Sequence, residues 1–287
     1  MESSTVHADY SLVQLANGAH TVYSSAYEEK IHPGLGPQAE AELLYVRQLR
    51  IAERLHDGVG EFVIWDVGLG VAANAVAALC AGREIQRPLR LVSFDNSTAP
   101  VRFALDNAAA LKYLEGYTTV LHQLLQERQI QFSNGNQPVD WNFCLGDFPE
   151  WLAGLKNEPA PHIIMFDAFS PAKNPAMWTL PVFTNLFGVL DPARPCSLTT
   201  YSRSTLLRVT LLLAGFFVGV GRSAGLKEET TVAANTLDLI EQPLDRRWLD
   251  RARRSVSAEP LREPVYRQAP LSMESWEILR AHSQFQA

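Results

Sequence analysis

The stretch Phe62-Val63-Ile64-Trp65-Asp66-Val67-Gly68-Leu69-Gly70-Val71-Ala72-Ala73 decides the fold. Its apolar, partly β-branched start reads as a buried strand over 62–67. Gly68 and Gly70 form a tight turn, and the small residues over 71–81 read as the helix that follows. A strand that ends in a Gly-x-Gly turn and feeds a helix brings bare backbone and a helix N-terminus close to a ligand. The third fingerprint position is Ala73, so the pattern is G-x-G-x-x-A, which by itself fits a plain corner equally well. The next apolar run, Arg90-Leu91-Val92-Ser93-Phe94, ends at Asp95. In nucleoside-binding α/β folds a carboxylate at that strand tip holds the ribose hydroxyls.

Outward from this unit, strands and helices alternate. Strands are expected over 62–67, 91–95, 130–132, 142–145, 163–166 and 197–201. Such alternation predicts a mostly parallel, doubly wound sheet. Pro100 suits the first turn of the helix after Asp95. Gly215 ends a helix, and 216–220 with 230–234 predicts a closing antiparallel hairpin. Residues 1–60 read as an N-terminal extension and lid, with a hairpin around Asn17-Gly18, a Pro/Gly loop at 32–37 and a helix over 38–55. Residues 61–240 are the α/β core. Residues 241–287 form a tail with the basic helix Arg246-Arg247-Trp248-Leu249-Asp250-Arg251-Ala252-Arg253-Arg254 and a last helix near 273–282.

Composition narrows the class. The 287 residues are 47% hydrophobic and 20% charged, ordinary for a globular chain with a large core. The start has no signal pattern, and no apolar stretch is long enough to span a bilayer. Cys80, Cys144 and Cys196 are scattered and fit reduced thiols in the cytoplasm, with no metal site implied. The net charge of −6 argues against strong non-specific nucleic-acid binding but leaves room for a basic patch.

Asp95, Asp147 and Asp167 each fall at the end of a candidate strand, at the sheet edge where ligands bind. Each alone can be a helix cap. Together with the glycine turn they resemble a class I S-adenosylmethionine (SAM) methyltransferase. The segment Asp167-Ala168-Phe169-Ser170-Pro171-Ala172-Lys173-Asn174-Pro175-Ala176-Met177-Trp178 is more specific. It resembles the Asp-Gly-Phe-x-Pro-x-Lys-Asn-Pro-x-Met-Trp signature of the methyltransferase half of the bacterial bifunctional family that completes 5-methylaminomethyl-2-thiouridine in tRNA, with Ala168 for the usual Gly. Thr200-Tyr201-Ser202, Ala214-Gly215-Phe216, the run Gly225-Leu226-Lys227-Glu228-Glu229-Thr230-Thr231, and His282-Ser283-Gln284-Phe285 continue the likeness. No second Gly-x-Gly-x-x-Gly fingerprint is present, so the resemblance is to the methylating half without the flavin-dependent oxidoreductase domain.

The resemblance implies a Rossmann-like fold, SAM as cofactor, and methylation of the aminomethyl nitrogen at C5 of tRNA wobble uridine 34. It assigns Asp66, Gly68, Gly70, Asp95, Asp147 and Phe148 to the cofactor and Asp167 to catalysis. A carboxylate suits a ribose diol, and an aromatic face suits adenine. Phe169 and Trp178 are placed to flank a splayed base, with core packing an equal reading for Trp178. Lys173 is read as a phosphate contact or a solvated lysine, and His32 as a lid element. Glu40 or Glu42 is the family's N-terminal acid, the spacing to Tyr45 favouring Glu42. Arg246 and Arg247, with their helix, either grip the anticodon stem-loop or form a solvated face. The competing expectations are a spermidine synthase-like aminopropyltransferase, a small-molecule amine N-methyltransferase, and a nucleoside-binding module without turnover. The oligomeric state is open.

Overall fold

The computed structural model describes residues 9–154, 158–223 and 228–286. The family-like run at Gly225-Leu226-Lys227 therefore lies outside the described residues, as do the chain ends. In chain order the strands are β1 (Tyr10–Gln14), β2 (His20–Ser24), β3 (Glu29–Ile31), β4 (Phe62–Val67), β5 (Leu89–Asp95), β6 (Gln129–Asn134), β7 (Gln137–Leu145), β8 (Ile163–Phe166), β9 (Ser197–Thr200), β10 (Phe217–Gly221) and β11 (Thr230–Ala234). The first three make a small antiparallel sheet, and the others a mixed sheet in the order β10-β11-β9-β8-β4-β5-β7-β6.

All six residues of β4 are buried, because helices cover both faces of the sheet at its centre. From β4 the chain builds outward through β5 to β7, then returns to place β8 on the other side of β4, and these neighbours run parallel. The reversal of direction opens a crevice at the carboxyl ends of β4 and β8. β11 and β10 close one edge as the expected antiparallel hairpin. At the other edge β6 and β7 also pair antiparallel, around the Asn134-Gly135-Asn136 turn. β7 is longer than the expected 142–145. In it Val139, Trp141 and Phe143 alternate inward, so the inward-facing set begins before that window.

The helix expected over 38–55 is broken. It forms a short α-helix, Pro37–Ala41, a wider π turn, Glu42–Arg47, and a second α-helix, Ile51–His56. Arg50 between them is left-handed at φ 53°. Two long-range bonds fix the detour. The Tyr45 hydroxyl donates to the Phe166 carbonyl at 3.4 Å, and Gln48 Nε2 donates to Thr199 Oγ1 at 2.7 Å. π turns concentrate at functional sites, and this one sits against the tip of β8.

Candidate active site

The glycine turn is dictated by crowding at the strand tips. Gly68 sits at φ 97°, and a Cβ there would lie 2.7 Å from the Asp167 carbonyl oxygen. Only glycine lets β4 end this close to β8. Gly68 N and Leu69 N donate to the Phe94 carbonyl at 2.9 and 3.0 Å, and Gly70 N donates to Asp95 Oδ2 at 2.8 Å. Ser97 N donates to Asp95 Oδ1 at 3.0 Å. Burial raises the Asp95 carboxyl above its ordinary range, and the bonds from Gly70, Ser97 and Asn96 oppose that rise.

A cavity of about 560 Å³ opens above this turn. Gly68, Gly70, Asp95, Asp147 and Phe148 line one part, and Asp167, Phe169 and His32 another. The volume suits a drug-sized ligand. Asp147 is also the N-cap of helix Phe148–Ala153, its Oδ1 accepting from Glu150 N at 2.9 Å. Phe148 packs edge-on to Phe94 with ring centroids 5.1 Å apart.

Asp167 is the best-held carboxylate. Its Oδ2 accepts from Asn74 Nδ2 at 2.8 Å and lies 3.2 Å from His32 Nε2. Burial alone would raise its pKa. The hydrogen bond and charge of His32, with bonds from Asn74 and Tyr45, outweigh burial and hold the carboxyl below its ordinary value. Asp167 is therefore an anion inside the cavity.

The N-terminal sheet forms the cavity's second wall. Tyr27 stacks on Phe169 with ring centroids 3.9 Å apart. Glu29 accepts from Ser170 N at 3.2 Å and from the Ser170 hydroxyl, and Glu28 pairs with Lys173. Glu40 Oε1 accepts from Gly34 N and Leu35 N at 2.5 and 2.8 Å, shaping the loop that carries His32.

Several expected residues lie elsewhere. Asp66 is fully buried beneath the cavity, where its Oδ2 accepts from the Ser93 hydroxyl at 2.9 Å. Its carboxyl lies outside the cavity lining. Burial pushes its carboxyl up to about 8. Trp178 is 0% exposed, and its Nε1 donates to the Phe169 carbonyl at 2.7 Å. This fits the core-packing reading of Trp178, which braces the loop from inside and lies outside the cavity lining. Glu42 is on the outer side of the π turn, paired with Arg47 at 3.0 Å, and Glu40 lines the cavity in its stead. Lys173 is committed to Glu28 outside the cavity lining. Arg246 Nε donates to the Phe285 carbonyl at 3.0 Å, which fastens the tail, and Arg247 is exposed; neither borders the cavity. Glu28, Glu29 and Asn74 belong to the site with no sequence expectation attached to them, while Tyr27 and Tyr45 bound the N-terminal stretch that resembles the family's. The small-residue helix pattern carried Asn74 as its one polar side chain, the sole local hint of a ligand-side role.

Among the described residues no group of three or more His, Cys, Asp or Glu is placed to hold a metal, and no helix is long and apolar enough to cross a membrane.

The mostly parallel sheet, with its Gly-x-Gly turn at the switch point and a carboxylate on the neighbouring strand, has the class I SAM methyltransferase fold. The family model described as S-adenosyl-L-methionine-dependent methyltransferase matches residues 108–236, and the chain is an enzyme of that kind. More particularly, it is a relative of the methyltransferase portion of tRNA 5-methylaminomethyl-2-thiouridine biosynthesis bifunctional proteins, MnmC. It is 27% identical to the Aeromonas hydrophila protein over 236 residues, 74% of this chain and 34% of that one. With the Burkholderia vietnamiensis protein it shares 28% over 207 residues, 68% of this chain and 31% of that one. The chain thus spans about a third of the length of these relatives. In fold it is similar to the crystal structure of MNMC2 from Aquifex aeolicus, with a TM-score of 0.70, 24% identity, and 94% of this chain and 82% of that chain covered.

Proposed function

We propose that this methyltransferase acts on a primary amine, the aminomethyl group at C5 of tRNA wobble uridine 34. The observation that carries the reading is Asp167: an ionised carboxylate in the cavity, beside the glycine turn, with Glu29 and Glu40 also in the lining. Such a pocket attracts an ammonium and repels an anion. The MnmC relationship supplies the choice of amine.

The residues suit SAM. Gly68 and Gly70 line the cavity with backbone alone, which permits close approach of a ligand. Asp95 Oδ2 accepts from Gly70 N and Oδ1 from Ser97 N, and the carboxylate keeps acceptor capacity for a ribose hydroxyl. Phe148 and Asp147 would border the adenine. When bound, SAM supplies an electrophilic methyl group on a sulfonium. Asp167 would anchor the amine nitrogen and take part in removing its proton, so that the lone pair faces the methyl group. Methyl transfer is an in-line displacement, in which positioning supplies much of the rate.

Phosphate contacts fall to the tail in this reading. Arg247, Arg251, Arg253 and Arg254 are exposed on one short helix that packs on the core through Trp248, Leu249 and Ala252. Residues 1–60 would act as the lid and 241–287 as the basic docking tail. The test is incubation with labelled SAM and tRNA purified from a strain lacking this gene, followed by nucleoside mass analysis. Gain of one methyl group on 5-aminomethyl(-2-thio)uridine is expected. Label on any other nucleoside, or none, overturns the proposal.

A further inference from the structure

A buried anion requires a compensating charge. The group that meets Asp167 is His32, on the loop after β3, with Nε2 at 3.2 Å; the two side chains are only 6% and 15% exposed. The other groups facing His32 are Asn74, whose Oδ1 lies 3.3 Å from Nε2, Glu40 beyond its own loop, and Asp66 from β4; Tyr45 approaches from the π turn on the Asp167 side. Burial would lower the imidazole's pKa. The hydrogen bond and charge of Asp167, with Glu40 and Asn74 behind them, outweigh it and hold His32 above its ordinary value.

The second ring nitrogen decides what happens when that proton leaves. His32 Nδ1 is buried and has no hydrogen-bond partner. Loss of the Nδ1 proton therefore breaks no contact, while Nε2–H continues to donate to Asp167. The ring can change charge and keep its geometry. His32 also sits at φ 56°, held there by the loop that Glu40 ties down.

We infer that His32 is the resident counter-cation of Asp167 and that the acceptor's ammonium takes its place. This rests on the reading of the acceptor as an amine. The ammonium binds at Asp167, one proton passes from His32 Nδ1 to solvent, and the neutral ring goes on orienting the carboxylate through Nε2–H. No other bond is made or broken in this step. Below the His32 titration the two cations compete, so the acceptor KM rises tenfold for each pH unit while kcat is little changed.

The test uses the full chain and an anticodon stem-loop RNA carrying 5-aminomethyluridine at the wobble position. Binding is measured without SAM by calorimetry in two buffers of different ionisation heat, with the uridine-containing RNA as control. About one proton should be released to buffer with the aminomethyl RNA below the His32 titration, and none with the control. Nitrogen-detected NMR of His32 should show Nδ1 losing its proton on binding while Nε2 keeps its own. His32→Asn retains tolerance of positive φ and cannot titrate; its shorter amide stops short of Asp167, which keeps its bond from Asn74. In it the proton release and the pH slope of KM should disappear. Methylation of the RNA by wild type without proton release, or a KM slope that persists in His32→Asn, overturns the inference alone. Absence of methylation by wild type overturns the amine reading and the inference with it.

Discussion

Replacing Gly68 by alanine tests the geometry on which the site depends. The new Cβ would stand 2.7 Å from a backbone oxygen, that of Asp167, and 3.1 Å from its carbonyl carbon. Backbone at the tip of a buried strand yields less readily than a side chain, so β4 and β8 must part. Overpacking of this kind costs about 1–3 kcal/mol. The residue's φ of 97° adds roughly 1–2 kcal/mol for a residue with a Cβ. Together the loss is on the order of 2–5 kcal/mol, or about 5–15 °C in Tm. The displaced carbonyl belongs to Asp167, so SAM affinity and turnover should fall with stability. Thermal melts with and without SAM, and calorimetry with SAM, measure both. Melting and SAM affinity equal to wild type would show that the tips of β4 and β8 are not packed as described.

Asp95→Ala should weaken SAM binding by about 1.5–3 kcal/mol, the range for hydrogen bonds to a charged group; unchanged affinity would place the ribose elsewhere. Asp167→Asn should lower turnover by roughly 10²–10⁴ with SAM affinity nearly retained, and higher pH should restore part of it; wild-type turnover would remove Asp167 from the chemistry. Glu at Arg247, Arg251, Arg253 and Arg254 should raise KM for tRNA and flatten its salt dependence without touching SAM affinity, and indifferent tRNA kinetics would leave the helix a solvated face. Asp66 is held at about 8, above the unfolded range near ~3.9, so the folded state keeps a proton that the unfolded chain releases. Its stabilising contribution is complete below pH ~4 and is lost as pH rises toward 8, by up to about 1.4 kcal/mol per unit. Melts of Asp66→Asn from pH 5 to 9 should lack this slope; parallel curves for variant and wild type would contradict it.

What the sequence made legible follows from how local each signal is. The run 62–67 shows its own burial, the Gly-x-Gly turn shows its own tightness, and Asp95 and Asp167 announce strand ends, so the sheet and its ligand edge could be read directly. The other half of the site is made by pairs far apart in the chain. Tyr27 meets Phe169, and Glu29 meets Ser170 at a separation of 141 residues. A local pattern states which face of a segment is apolar but not which segment will cover it. Glu42 was preferred over Glu40 on a regular helical spacing to Tyr45, and the π turn at Glu42–Arg47 alters that spacing. Trp178 was read from a motif whose aromatic is drawn inward by a carbonyl of its own loop, that of Phe169.

The distribution of charge ties these pieces to one chemistry. A nucleotide brings two features of opposite sign to the enzyme in the proposed reaction: an ammonium on the base and phosphates along the chain. The cavity lining holds the carboxylates of Glu29, Glu40, Asp95, Asp147 and Asp167 and the Lys173-paired Glu28, against Lys30 and His32. A local group of exposed guanidiniums, Arg247, Arg251, Arg253 and Arg254, sits on the helix Arg246–Arg254, outside the cavity lining. An acidic pocket disfavours entry of phosphate, so a polyanionic substrate is best accommodated with its backbone on the basic tail and one base turned inward.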